Sequence, residues 1–173
     1  MIRCYSLDEV PPLSPSILTI GNFDGVHRGH QKLLKNADVA VTFSNHPAQF
    51  LTGKKIPILC TLEERLNKME SCGIKCTLVL PFDKKLSALS YKEFLEMLRK
   101  KIPFTKLVLG EGATFGKGCE GTPENLRKLG VTVEYINKET LDGTVISSGQ
   151  IRKWLSEGDV SRSEQALSLL TTL

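Results

Sequence analysis

The sequence predicts an α/β domain, a parallel five-stranded sheet with helices on both faces. Three observations predict it. First, five short runs (residues 17–20, 39–43, 77–80, 106–109 and 131–136) are nearly all apolar rather than alternating, as strands buried on both faces are. Second, segments with helix start and stop signals separate these runs, which is the order of βαβ units. Third, 173 residues with 40% hydrophobic and 24% charged side chains match an ordinary globular domain. Such a domain can bury roughly 70% of its unfolded surface without staples.

The elements follow in order. Residues 1–16 hold Pro11, Pro12 and Pro15 and are expected to form an extended lead-in. The first strand runs into a loop from Gly21 to Gly29, then a helix beginning near His30. Only eight residues separate His30 from Val39, so that helix is short, spanning about 12 Å. Thr61-Leu62-Glu63-Glu64 is a capping box. Leu62, Leu66 and Met69 share one face of the helix it opens, and Gly73 ends it. Ser90-Tyr91-Lys92-Glu93 is a second box, with Phe94, Leu95 and Leu98 behind it. Thr122-Pro123 places an N-cap before a first-turn proline. Ser148 is expected to cap a helix that carries Ile151 and Leu155 and stops at Gly158. Ser161-Arg162-Ser163-Glu164 is expected to cap the last helix. The chain holds no internal repeat and no low-complexity linker, so residues 1–173 are expected to be one domain.

Composition excludes several classes. The net charge is +4, without a Lys/Arg run or interleaved aromatics, which gives no case for nucleic-acid binding. The five cysteines (Cys4, Cys60, Cys72, Cys76 and Cys119) are odd in number and irregular in spacing. No second Cys or His pair completes a zinc site around Cys72 and Cys76, so reduced structural thiols and no metal cluster are expected. No apolar run approaches the ~20 residues of a membrane span. The first twelve residues lack a signal-peptide core, so a cytoplasmic protein that does not bind membranes is expected.

Ligands of open parallel sheets sit at the carboxyl ends of the strands, and the unusual residues fall there. The loop after the first strand reads Gly21-Asn22-Phe23-Asp24-Gly25-Val26-His27-Arg28-Gly29-His30. Gly21 and Gly25 permit tight turns and leave space for a ligand. His27 and His30 are three apart and share one side of the first helical turn. Free N–H groups at that helix end add positive potential. Two imidazoles and a helix N-terminus make a cradle for a polyphosphate, with Gly29 letting a phosphate approach between the rings. Two of the chain's three histidines fall in this one turn. In Ile146-Ser147-Ser148-Gly149-Gln150-Ile151-Arg152, two hydroxyls at a helix start can cap it or hold phosphate oxygens, and Arg152, one turn on, can reach the same anion. After the fourth strand, residues 110–118 are dense in glycine, which suits a loop wrapped closely around a ligand.

Gly-x-Phe-Asp-Gly-Val-His-x-Gly-His resembles the signature of the nucleotidylyl transferases, specifically the bacterial FAD synthetases. The resemblance covers roughly residues 17–170 and implies the Rossmann-like nucleotidylyl transferase fold. It implies that His27 and His30 contact the ATP phosphates and steady the transition state as pyrophosphate leaves. It places Gly21, Asn22, Phe23, Asp24, Gly25, Gly29 and Gly110 around the nucleotide. Residues 146–152 are similar to the family's I-S-S-T-x-x-R element, whose Arg, here Arg152, binds the outer phosphates beside Ser147 and Ser148; Gly149 stands where the family has Thr. Residues 110–117 resemble a G-x-[DN]-F-x-F-G-K loop, with Gly112 and Ala113 in place of a polar residue and an aromatic. Phe43-Ser44-Asn45-His46-Pro47 resembles an F-x-P-H-P loop, with Asn45 in place of Pro. From these loops His46, Pro47, Phe115, Gly116 and Lys117 are expected at the flavin.

The resemblance thus implies adenylyl transfer from ATP to FMN, giving FAD and pyrophosphate, with Mg2+ carried by ATP. Relatives usually continue into a riboflavin kinase barrel. None is expected here, so FMN would come from a separate riboflavin kinase. Two alternatives stay open. The same cradle serves transferases acting on nicotinamide mononucleotide, pantetheine phosphate or glycerol phosphate. Gly112, Ala113, Gly149 and the short first helix are also compatible with a non-catalytic flavin- or nucleotide-binding module.

Overall fold

The computed structural model describes residues 1–169; the chain end at Leu173 lies outside them. Its centre is one sheet of β1 (Ile2–Cys4), β2 (Ser16–Ile20), β3 (Val39–Phe43), β4 (Cys76–Leu80), β5 (Phe104–Gly110) and β6 (Val133–Ile136). The strand order is β1-β4-β3-β2-β5-β6, with every neighbouring pair parallel. Five strands were expected and six are present, because the lead-in is not wholly irregular. Ile2-Arg3-Cys4 is too short, and interrupted by a charge, to stand out as an apolar run. Pairing against β4, with Cys4 beside Leu78, is what makes it a strand.

The helices are α1 (Arg28–Lys35), α2 (Pro47–Thr52), α3 (Leu62–Ser71), α4 (Lys84–Ala88), α5 (Tyr91–Arg99), α6 (Pro123–Lys128), α7 (Ser148–Ser156) and α8 (Val160–Leu167). A small antiparallel hairpin, β7 (Thr140–Leu141) and β8 (Thr144–Val145), precedes α7. The pleat explains the continuous apolar runs, since successive side chains point to opposite faces. Val39, Val41 and Phe43 of β3 join Leu78 and Leu80 of β4 and Phe94, Leu95 and Leu98 of α5 on one face. Ala40 and Val79 point the other way, onto Leu34 of α1 and Leu66 and Met69 of α3. The sheet is thus covered on both sides, as its strand composition requires.

Both capping boxes form. Thr61 with Glu64 opens α3, and Ser90 with Glu93 opens α5. Thr122 caps α6 ahead of Pro123. Three expected starts shift. Helix α1 begins at Arg28, because the His27 ring itself accepts the amide of His30 and takes the N-cap place. Helix α7 is capped by Ser147 rather than Ser148, whose hydroxyl is engaged elsewhere. Helix α8 is capped by Asp159 rather than Ser161; the acidic oxygen meets the amide of Arg162. Leu155 is not a core residue but 45% exposed, because the buried face of α7 runs through Ile151 and Trp154 to Ala166 of α8. Strand order reverses between β2, whose chain continues to β3, and β5, which leads to β6. The carboxyl ends of these two strands, at Ile20 and Gly110, border the candidate site.

Candidate active site

The segment that leaves β2 is held in an unusual backbone. Phe23 (φ 52°) and Val26 (φ 47°) occupy the left-handed region that side chains avoid, as does Gly25 (φ 83°). Burial of Phe23 and Val26 in the core fixes both turns against that strain. A Cβ on Gly25 would lie 2.9 Å from Leu167 Cδ2, so this glycine serves close packing as well as the turn.

These turns bring the two imidazoles together. The His27 and His30 rings stack with centroids 3.6 Å apart and planes 17° from parallel. The His30 amide donates to His27 Nδ1 at 3.3 Å. That bond leaves the proton of neutral His27 on Nε2. Burial pushes His27 down to about 4, against weaker upward pulls from its own hydrogen bonding and from Asp24. His30 lies well below the usual imidazole range, first through burial and then through the nearby charges of His27 and Arg65. Both rings are therefore neutral near pH 7. A Cβ on Gly29 would touch the His27 ring at 3.3 Å, so the glycine serves close packing there. The stack leaves no room for a phosphate between the two rings, where one was expected from the sequence.

Two cavities meet at Ile20 and Gly21. The first, about 220 Å³, is lined by Phe23, His27, Gly29, His30 and Gly110 among others, with Glu139 at its edge. Glu139 forms ion pairs with Arg28 and Lys32 of α1. The second, about 460 Å³, is walled by Phe43, Pro47, Leu51, Phe82 and Phe115, with Gly116 and Lys117 at its rim. Phe82 stands edge-on to both Phe43 and Phe50, at centroid distances of 5.3 and 5.7 Å. Gly116 (φ 81°) packs so tightly on Tyr91 that a Cβ would come within 2.5 Å of its backbone nitrogen.

Asp24, Ser147, Ser148, Arg152 and His46 form a knot beside the histidine loop, and none of these five lines either cavity. Arg152 Nη2 binds the buried carboxylate of Asp24, and Arg152 Nε donates to the Pro57 carbonyl at 2.6 Å. The other Asp24 oxygen accepts the Leu59 amide at 3.0 Å. Ser148 Oγ donates to the Asp24 carbonyl at 2.9 Å, while Ser147 caps its own helix. Asp24, Ser147 and Ser148, expected at the nucleotide, thus have protein partners. His46, expected at the flavin, faces Arg152, with Nε2 at 3.5 Å from Nη2. Burial and the Arg152 charge lower its pKa, Asp24 opposing them. Asn22, expected at the nucleotide, lines the second cavity. Arg65 was not anticipated at all, although a cation on the same helix face as Leu62, Leu66 and Met69 is a legible anomaly.

Comparisons with known proteins place the chain in a family. A family model described as FAD synthetase matches residues 10–150. The chain is 33% identical to the bifunctional riboflavin kinase/FMN adenylyltransferase of Escherichia coli (strain K12), over 94% of this chain and 57% of that protein. The enzyme of the same name from Bacillus subtilis (strain 168) is also 33% identical, over 84% and 51%. The chain therefore spans about half the length of these relatives. Among solved structures, one titled a macrolide-efflux protein from Streptococcus pneumoniae superposes with a TM-score of 0.83 at 25% identity, over 96% of this chain and 60% of that one. Pantothenate synthetase from Thermus thermophilus shares the fold, with a TM-score of 0.63 at 18% identity, over 96% of this chain and 71% of that one.

Proposed function

Because the chain belongs to the FAD synthetase family, we propose that it transfers the adenylyl group of ATP to FMN, giving FAD and pyrophosphate. One observation carries this reading: a cavity bearing a stacked histidine pair meets a larger aromatic cavity at Gly21. The first would take the nucleotide and the second the flavin ring. Their junction then brings the two reacting phosphates together.

The nucleophile is an FMN phosphate oxygen. It forms a bond to the α-phosphorus of ATP as the bond to the bridging oxygen of pyrophosphate breaks. That oxygen is already anionic, so positioning and charge stabilisation suffice. Neutral His27 presents its Nε2–H, and His30 its own ring N–H, to the developing charge. Arg152 has two nitrogens committed to Asp24 and Pro57, which leaves Nη1 to grip the outer phosphates. Among the described residues no cluster of three acidic, His or Cys side chains stands ready to hold a cation. Mg2+ would therefore be carried by the triphosphate oxygens and would neutralise part of their charge.

FMN would come from a riboflavin kinase activity, which the named relatives carry on the same chain. No described helix is long and apolar enough to cross a membrane. The decisive experiment is incubation with ATP, Mg2+ and FMN, reading FAD and pyrophosphate by chromatography. FAD is expected, with His30→Ala turnover lower by about 10²–10³, the loss typical of one preorganised donor. FMN binding without product would make the chain a binding module, and unchanged turnover in H30A would remove His30 from the mechanism.

A further inference from the structure

Helix α3 carries a cation where its pattern asks for an apolar side chain. Arg65 is only 5% exposed and shares its helix face with Leu66 and Met69. Among the described residues no carboxylate pairs with it; its Nη1 donates to the carbonyls of Asn22 (2.9 Å) and Phe43 (2.8 Å) and to the Thr42 hydroxyl (3.2 Å). Its Nε is buried without a partner, and so is Asn22 Oδ1. A guanidinium cannot shed its proton. Its burial without an opposite charge is costly unless a ligand supplies one.

The location says which ligand. Asn22 and Phe43, whose carbonyls Arg65 holds, both line the second cavity. The same charge is felt by His30, which lines the first. Arg65 therefore stands behind the wall near which the two cavities join. Other cations nearby are paired or nearer solvent: Arg152 with Asp24, Arg28 and Lys32 with Glu139, Lys68 half-buried on the Gly25 carbonyl, and Lys117 and Lys138 exposed where they line the two cavities.

We infer that Arg65 is a positioning residue for the phosphate of the flavin nucleotide. Its fixed charge draws that phosphate toward the Gly21 junction, and its hydrogen bonds hold the carbonyls of Asn22 and Phe43 in the adjoining wall. The inference rests on the flavin reading of the second cavity. A charge in a low-dielectric wall acts over several ångströms without touching its target, so Arg65 needs no direct contact.

The test compares FMN with riboflavin, which lacks the phosphate, by flavin-fluorescence titration of wild-type, Arg65→Lys and Arg65→Gln proteins. Lysine keeps the charge and can donate to the same three acceptors; glutamine keeps a donor and loses the charge. Wild type is expected to prefer FMN, and R65K to stay close to it. R65Q is expected to bind FMN about tenfold more weakly, the order of a unit charge acting across roughly 10 Å at a protein's effective dielectric, with riboflavin unchanged. A merely structural arginine would weaken both flavins alike. That result, an unaltered preference in R65Q, or an R65K loss as large as that of R65Q overturns the assignment. Wild type that binds neither flavin would overturn the cavity reading itself, whereas wild type that prefers FMN while R65Q keeps the preference sinks Arg65 alone. Should R65Q show no cooperative melt, inorganic phosphate added to wild type decides. It should displace FMN and leave riboflavin bound, and equal displacement of both overturns the inference.

Discussion

The ring of His27 has two tasks, and they pull its chemistry one way. It caps α1 through Nδ1 and stacks on His30, and both contacts need an unprotonated ring in a dry place. Folded, its pKa is about 4; unfolded, it returns to 6.5. Between those values the native state binds fewer protons than the unfolded chain. The stabilising contribution is therefore complete above pH 6.5 and is lost as pH falls toward 4. Calorimetry should show wild-type stability declining across that window. His27→Asn, which keeps an oxygen for the His30 amide, should decline less, by up to about 3 kcal/mol at the acid end. Parallel declines would show that the ring titrates normally. At this scale the sequence revealed the histidine pair through its spacing and its share of the chain's histidines. It could not reveal the stacking, which depends on positive φ at Phe23 and Val26, residues that nothing in their identity marks as turn formers.

Between elements, the main tie runs from α7 to the loop after β2. Ser148 Oγ reaches the Asp24 carbonyl, and Arg152, one turn on, reaches the Asp24 carboxylate and the Pro57 carbonyl. Ser147, Ser148 and Arg152 were legible as a helix start bearing two hydroxyls and a cation. Which oxygens they would meet was not, since Asp24 lies more than 120 residues away in sequence. If Asp24 serves catalysis by aiming Arg152, two substitutions should share one loss. Arg152→Lys replaces a fork by a point charge and should cut kcat/KM at least about tenfold. Asp24→Asn keeps an acceptor for Leu59 but releases the guanidinium, and should cost a similar factor. The double variant should be no worse than the poorer single one, because coupled partners are not additive. Multiplied losses would mean that Asp24 acts apart from Arg152.

The whole molecule was the most legible level. Apolar runs of strand length, split by capping boxes, can be satisfied only by a sheet covered on both faces, and the ligand site then falls at the carboxyl ends of its strands. What escaped were features made by pairing rather than by pattern: the edge strand of Ile2–Cys4, the Thr140–Val145 hairpin, and the shape of the two cavities. The positions of Asn22, at the second cavity, and His46, beside Arg152, depend likewise on a single residue step past Gly21 and on which neighbour meets an imidazole. The division has a thermodynamic consequence. A ligand at 100 times its Kd stabilises the folded chain by about 2.7 kcal/mol. Two ligands in separate cavities should add, while two ligands in one cavity should exclude each other. Riboflavin and a non-hydrolysable ATP analogue, each at such excess, should together raise stability by about the sum of their separate effects, seen as additive shifts in Tm. A combined shift no larger than the greater single one would show that both ligands use one compartment, and adenylyl transfer across the Gly21 junction would then have no second substrate in place.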